Sequence, residues 1–305
     1  MSTPATTSSV PSATVRDAGG EPAGEASGAG ELLPGDVERV GRLLSGHAPL
    51  GVAYSGGVDS ATLLAVAVRT LGADGVVAIL GVSPSLASDE RTAAHETARQ
   101  IGARVVEVAT HEGDNPAYRA NGPDRCFHCK DELFTRISDE LVVELGLAAV
   151  AYGENADDAL RPDRPGAQAA TNHRVLRPLA EAGLTKRDVR RIARELGVRV
   201  ADKPAAPCLA SRIPHFEEVT PEKLAQVDAA ESALRRLGFS DGRVRHHGEV
   251  ARIELPADEI VRAAELHDEV HAAVTAAGFR FAAVDLRGIQ SGAFTLPLVD
   301  VTHGR

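Results

Sequence analysis

The run Ser55-Gly56-Gly57-Val58-Asp59-Ser60 has the residue types of an anion cradle. Glycines at 56 and 57 let the backbone approach a bound group closely and take conformations that a Cβ forbids. Successive N–H groups, backed by the positive end of a following helix, attract phosphate. Ser55 and Ser60 add hydroxyl donors. Asp59 is out of place in an anion site unless it helps to hold a Mg2+ ion that bridges phosphates. No lysine follows the glycines, so the loop is not of the GxxxxGK[ST] kind. The plain alternative is a tight strand-to-helix turn that binds nothing.

Cys126, Cys129 and Cys208 are the whole thiol complement. An odd, sparse set makes a poor disulfide framework and suits a reducing, cytoplasmic setting. Arg125-Cys126-Phe127-His128-Cys129-Lys130 is a CxxC that opens a helix, and Cys208 lies in Pro207-Cys208-Leu209-Ala210-Ser211-Arg212-Ile213-Pro214. Three readings stand side by side. The thiols could be small core residues, since free cysteine is commonly buried. They could bind Zn2+, with His128 or an acid completing a tetrahedral set. Three thiolates could also hold a [4Fe-4S] cluster whose fourth iron stays open.

These residues need a scaffold, and the apolar pattern predicts one. Apolar positions recur at helical spacing from Glu31 to His47, followed by a short strand, Gly51 to Tyr54, and a helix from Ala61 to Leu71. Gly75 to Val82 is a continuous apolar strand of the kind covered on both faces. Ser88 to Ile101 is helical with Ser88 as N-cap, and Arg104 to Val108 is a strand. A helix over Asp131 to Leu145, a strand over Ala148 to Tyr152, a helix over Thr185 to Leu196 and a strand over Val198 to Ala201 follow. Such alternation predicts an α/β domain with a largely parallel sheet, whose ligands bind beyond the carboxyl ends of the strands. Beyond the proline-rich Lys203 to Pro207 the pattern changes. Helix Glu222 to Leu237, strands Arg243 to His247 and Ala251 to Leu255, helix Asp258 to Ala277 and strand Phe281 to Leu286 predict a smaller α+β domain. The expected division is a disordered leader over 1–30, an α/β domain over 31–205, and an α+β domain over 206–305.

The leader is rich in Ser, Thr, Ala, Gly and Pro and lacks the basic and apolar regions of a secretory signal. Its apolar surface is too small to offset the entropy of ordering. No apolar run approaches the roughly 20 residues that span a bilayer. With a net charge of −10 the chain lacks the basic footprint of a nucleic-acid binder. A local basic stretch at Lys186, Arg187, Arg190, Arg191 and Arg194 reads as a solvated helix face.

The glycine loop closely resembles the SGGxDS motif of PP-loop enzymes, which split ATP into AMP and pyrophosphate and use the adenylate to activate an oxygen. RCFHCK, Lys203–Pro214, VRHHGEVARIEL (244–255) and DLRGIQSGAF (285–294) together resemble the LarE family. These are ATP-dependent sulfur transferases of nickel-pincer cofactor synthesis, and the likeness runs from about Leu44 to Gly292. The resemblance implies ATP bound by Ser55, Gly56, Gly57, Val58, Asp59 and Ser60, with Mg2+ on Asp59. Gly153, Glu154 and Asn155 would close over the nucleotide, Asp157 and Asp158 would assist the metal, and Arg177 and Lys186 would bind phosphate. Its substrate is a pyridinium mononucleotide bearing two carboxylates, whose phosphate Ser211, Arg212, Arg243 and Arg245 would hold. Glu231 and Glu254 resemble acidic, metal-associated positions, with surface salt bridges as the plain alternative. The His246–His247 pair points to opposite faces of a strand, so the two cannot readily share a metal.

Family members divide by sulfur source. In one type the single cysteine of the CLASR-like segment gives up its own sulfur and becomes dehydroalanine. In the other, three cysteines hold a [4Fe-4S] cluster carrying an extra sulfide. Cys126, Cys129 and Cys208 match the second type, with sacrifice of Cys208 and zinc as alternatives. The resemblance also implies a homo-oligomer and a handover to a nickel-inserting partner. Two other functions compete: a PP-loop tRNA thiolase, against which the acidic charge argues, and a non-catalytic ATP- or cluster-binding module, which would release no pyrophosphate.

Overall fold

The computed structural model describes residues 35–160 and 165–290. The expected leader and the end of the 285–294 motif lie outside the described residues. Four strands, β1 (Leu50–Ala53), β2 (Val76–Val82), β3 (Arg104–Ala109) and β4 (Ala149–Tyr152), form a parallel sheet in the order β3-β2-β1-β4. Leu50 pairs with Val76 on one side and Ala149 on the other. β1 therefore lies where the strand order reverses, the crevice in which open α/β sheets bind ligands.

Strand alternation sorts the side chains of β1 and β2 to two cores. Leu50, Val52, Ala78 and Leu80 pack with helix α1 (Asp36–Leu44), α2 (Val58–Leu71) and α3 (Ser88–Ile101). Ala53, Val77 and Ile79 face Phe134, Ile137 and Leu141 on the other side. The last three belong to α4 (Arg125–Arg136) and the π turn that extends it over Ile137–Leu141. This helix starts six residues before the expected Asp131, so both cysteines of the CxxC sit in its first turns.

Past a short helix α5 (Pro165–Asn172), α6 (Lys186–Glu195) opens on a capping box. Thr185 accepts from Asp188 N–H while the Asp188 carboxylate accepts from Thr185 N–H. The strand expected over Val198 to Ala201 is absent; these residues form turns. Val198, Val200 and Ala201 are apolar because they plug the first core. The Ala201 carbonyl accepts from Arg190 Nη1 at 2.7 Å rather than from a ladder partner. Ser88 is not the cap of α3 either: Ala87 holds that position, and Ser88 N–H donates to Asp228 Oδ1 at 3.2 Å.

The second sheet has the order β5-β6-β7, built from Arg243–His247, Val250–Glu254 and Phe281–Val284. β5 runs antiparallel to β6, with Arg245 opposite Arg252, and β7 runs parallel to β6. Helices α7 (Pro221–Arg236), α8 (Ile260–Glu265) and α9 (His267–Ala276) cover it. The single helix expected over 258–277 breaks at Leu266, whose ψ of 31 leaves the helical region. Leu224, Val227, Leu234, Val244, Ile253 and Val274 are fully or nearly fully buried between helix and sheet. Tyr118 and Leu209 belong to this second core as well, so the CxxC side of the molecule is packed into it.

Candidate active site

β1 delivers the chain to Tyr54, whose hydroxyl donates to the Ala94 carbonyl at 3.0 Å and whose pKa burial pushes up to about 12. That anchor holds the glycine loop over α3. Gly56 has φ +74, and a Cβ there would lie 2.9 Å from the Ala94 Cβ, so both backbone and space require glycine. Ser55 N–H donates to Ser60 Oγ at 3.2 Å, and Ser60 Oγ donates to the Gly57 carbonyl at 3.1 Å. α2 begins at Val58 with no side chain capping its first turn. The six residues thus present an uncapped helix start ringed by hydroxyls.

Two later loops close on this one. A Cβ on Gly153 would lie 2.7 Å from both the Asp59 carbonyl carbon and the Ser60 nitrogen, so the loop after β4 rests directly on the start of α2. Lys186, at the start of α6, donates from Nζ to Asp59 Oδ2 at 2.5 Å. Asp59 Oδ1 is buried without a hydrogen-bond partner. Glu154 is 4% exposed and faces Arg177, with Nη1 3.6 Å from Oε2. Beside them the Tyr152 hydroxyl is buried without a bonded partner, and burial, then Glu154, pushes its pKa far up. Lys130 Nζ lies 4.7 Å from the centre of the Tyr152 ring. The remaining acids of this loop have local partners. Asp157 accepts from Lys186 N–H at 2.8 Å, and Asp158 Oδ2 accepts from Asn155 Nδ2 at 2.9 Å while Asn155 caps the helix start by accepting from Asp158 N–H at 3.0 Å.

Cys126 and Cys208 are exposed, and Cys129 is half-buried against the second core. The three lie near enough to bear on one another's charge. Crowding by protein pushes the Cys129 thiol well above its usual range, aided by Glu112 and the other two cysteines. Surrounding protein atoms also raise the Cys208 thiol although its own surface is open, and Arg125 opposes that rise. Glu112 is 2% exposed; its Oε1 accepts from Ser83 Oγ at 2.5 Å, while Oε2 has no hydrogen-bond partner. Ser83 also borders a cavity of about 630 Å³ that runs past Arg91, His95 and Glu107. His128 bonds Asp124 at 3.1 Å on its own helix rather than turning to the thiols. Among the described residues no three His, Cys, Asp or Glu side chains converge to hold a single metal ion.

Cys208 heads a tight turn, Leu209–Arg212, that ends at the predicted arginine set. Arg212 forks onto Glu231 at 2.8 and 3.1 Å and reaches Ser211 Oγ at 2.9 Å. Arg245 donates to the Ser211 carbonyl at 2.9 Å and to Glu254 Oε2 at 2.8 Å. Glu231 and Glu254 are therefore buried braces, 2% and 0% exposed, and not surface salt bridges. Arg243 differs: among the described residues its side chain bonds the Ala205 and Gln290 carbonyls, at 3.3 and 3.5 Å, and no carboxylate. Burial and the Arg212 charge push its pKa down. His246 is buried on Phe279 and bonds Gln226, whereas His247 is exposed and turns to Arg252. The pair shares no metal site among the described residues.

Sequence reasoning missed Glu112, Asn121, Arg125, Tyr152 and Lys130. Arg125 and Lys130 flank the CxxC, so position alone could have raised them; nothing marks Glu112 or Asn121 apart from lying upstream of it.

A glycine loop that starts a helix at the switch point of a parallel sheet, with a second glycine pressed on it, defines a PP-loop nucleotide-splitting domain. A family model described as asparagine synthase matches residues 37–139. The chain is 45% identical over 244 residues to an uncharacterized protein of Synechocystis sp., covering 79% of this chain and 90% of that one. It is 36% identical over 241 residues to the pyridinium-3,5-bisthiocarboxylic acid mononucleotide synthase of Lactiplantibacillus plantarum, covering 79% and 87%. An uncharacterized protein of Methanocaldococcus jannaschii is 28% identical over 212 residues, 68% of this chain and 77% of that one. The chain belongs to the LarE family, ATP-dependent sulfur transferases of the PP-loop class.

Proposed function

We propose that this protein adenylates a carboxylate of a pyridinium-3,5-biscarboxylic acid mononucleotide and replaces its oxygen with sulfur. A carboxylate resists displacement until its oxygen is made a leaving group. Attack of that oxygen on the α-phosphorus of ATP releases pyrophosphate; transfer of sulfur to the carbonyl carbon then releases AMP and leaves a thiocarboxylate. The observation that carries this reading is the turn from Cys208 to Arg212, which sets a thiol four residues from a buried arginine cradle.

Ser55, Gly56, Gly57, Val58, Asp59 and Ser60 hold the phosphates, with Lys186 and Arg177 beside them, and Gly153 and Glu154 form the facing wall. The partnerless, buried Oδ1 of Asp59 suits a Mg2+ ligand. Arg243, with no carboxylate in contact, is the arginine best placed to grip the substrate phosphate, and Ser211, Arg212 and Arg245 orient it. Cys126, Cys129 and Cys208 would hold a [4Fe-4S] cluster, which supplies a bound sulfide when present. Arg125, next to Cys126 and opposing the rise at Cys208, is the cation that would favour the thiolate forms such a group needs.

On this reading residues 31–205 form the nucleotide domain and 206–305 the substrate and oligomerisation domain, as their different sheets suggest. The family likeness supports action in the cytoplasm as a homo-oligomer that passes its product to a nickel-inserting partner. The test is anaerobic purification with iron and sulfide assays, followed by intact mass through one turnover. Bound iron with all three thiols retained is expected. Loss of the mass of H2S from Cys208 would instead establish sacrifice of that residue, and no pyrophosphate release would sink the adenylation reading.

A further inference from the structure

The two thiol-bearing segments, CxxC and the Cys208 turn, lie 79 or more residues apart in the chain, and one buried amide joins them. Asn121 is 0% exposed and holds φ +55, a left-handed conformation that asparagine tolerates better than most residues. Its Nδ2 donates to the Pro214 carbonyl at 2.7 Å and to the Ile213 carbonyl at 3.3 Å. Its Oδ1 accepts from Arg125 Nη1 in a very short contact. The same Nη1 donates to the Ala210 carbonyl at 3.0 Å, two residues past Cys208. The Asn121 backbone carbonyl accepts from Phe216 N–H at 3.2 Å and faces His215 Nδ1 at 3.1 Å. Arg125, 8% exposed, precedes Cys126 directly and makes no carboxylate contact among the described residues.

We propose that Asn121 and Arg125 are positioning residues, a clamp that sets the CxxC helix against the Cys208 turn and so arranges the three thiols before any inorganic group binds. This rests on the reading of the thiols as one functional set. The chemistry asks for these side chains. An amide offers two donors for the Ile213 and Pro214 carbonyls and an acceptor for the guanidinium, where a hydroxyl has one proton to give; Arg125 Nη1 serves both the amide and the Ala210 carbonyl while carrying a charge opposite to thiolates. Removing the amide takes the Asn121 donor from the Ile213 carbonyl, leaves the Pro214 carbonyl with Glu217 N–H alone, and leaves Arg125 Nη1 with the Ala210 carbonyl alone. The Cys208 turn keeps other ties, Leu209 N–H to the Ser85 carbonyl at 3.0 Å and Arg212 to Glu231, so its loss loosens the turn rather than unfolding the protein.

The test uses full-length, metal-free, reduced protein carrying Cys126→Ser, which leaves Cys129 and Cys208. A short bis-methanethiosulfonate cross-linker can then bridge only across the two segments, and intact mass separates bridged from singly modified protein. In this background Asn121→Ala should lower bridging relative to single modification at least about tenfold, because the effective concentration of one thiol at the other falls. Arg125→Lys should lower it by a smaller factor. ATP affinity should stay within about twofold, which a general loss of structure would not allow. Equal bridging with and without Asn121 overturns the clamp alone. No bridging even with Asn121 present overturns both the clamp and the three-thiol reading. Should Asn121→Ala fail to fold, Arg125→Met, which removes both bonds, decides: reduced bridging supports the clamp and unchanged bridging overturns it.

Discussion

Asp59 is neutralised on one oxygen by Lys186 and left bare on the other, which is what a carboxylate needs to sit among phosphates without repelling them. Replacing Lys186 with Met would return a full negative charge to the anion site. A hydrogen bond to a charged group contributes roughly 1.5–3 kcal/mol, so KM for ATP in a pyrophosphate-release assay should rise about tenfold or more. An unchanged KM would remove Lys186 from the phosphate site. Gly153 makes a sharper case because the crowding is backbone on backbone. Gly153→Ala puts a methyl 2.7 Å from the Asp59 and Ser60 main chain, and neither can yield without moving the phosphate loop. Overpacking of this kind costs about 1–3 kcal/mol. Calorimetry should show a lower Tm, and titration with ATP should show weakened binding; wild-type ATP affinity would mean that the loop tolerates displacement.

The elements divide into those whose cause is local and those whose cause is tertiary, and only the first kind was legible in the sequence. β1 and β2 are runs of small and branched apolar residues with no polar side chain to satisfy, and they and β4 form where the pattern places them, within a residue or so at each end. Thr185 and Asp188 write the start of α6 into the chain directly. Val198 to Ala201 has the same apolar look as a strand, yet its carbonyls close turns at Val198 and Val200 and meet an arginine side chain at Ala201, partners that periodicity does not reveal. The glycine loop and the CxxC were equally visible, because each is a local cluster of unusual residue types, whereas Ser211, Arg212, Arg243 and Arg245 are split along the chain and were named only through the family resemblance. Asn121 and Glu112 were not, since an isolated polar residue reads as surface until the fold buries it. The same blindness left Glu231 and Glu254 open between metal-associated positions and surface salt bridges, and their role as buried braces unseen. Glu231, on α7, braces the Cys208 turn through Arg212 and also accepts from Val244 N–H at 2.9 Å on β5. Glu231→Leu would leave Arg212 buried and uncompensated, a loss of about 3–5 kcal/mol. Chemical denaturation should register it as a lower midpoint; a shift under about 1 kcal/mol would show that the Arg212 site rehydrates easily.

Across the whole molecule the buried and paired ionisable groups set how stability responds to acid, and two kinds act in separate windows. Burial, then the Lys223 charge, holds His246 below its ordinary value of 6.5. Around it lie Gln226, Phe279, Lys223, Glu217 and His247, and of these only Glu217 favours the charged ring. The unfolded chain therefore binds this proton more readily than the folded one, so the stabilisation is complete above pH 6.5 and is lost as pH falls below it. His247 is lowered too, by desolvation and Arg252, and contributes in the same window. The second window belongs to carboxylates. Glu107 is held at about 2, against an ordinary 4.5, by hydrogen bonds from Arg91 and His95. Its contribution is whole above pH 4.5 and disappears as pH falls toward 2; Glu132, Asp188 and Asp285 are depressed in the same sense. Thermal melting across pH 8 to 2 should then show a plateau above about 6.5, a shallow first decline, and a steeper one below about 4.5. His246→Leu should shrink the first decline to the part that His247 supplies and leave the second, while Glu107→Gln should lessen only the second. If His246→Leu leaves the first decline at full size, another group must be taking up the proton, and His246 must already be charged in the fold.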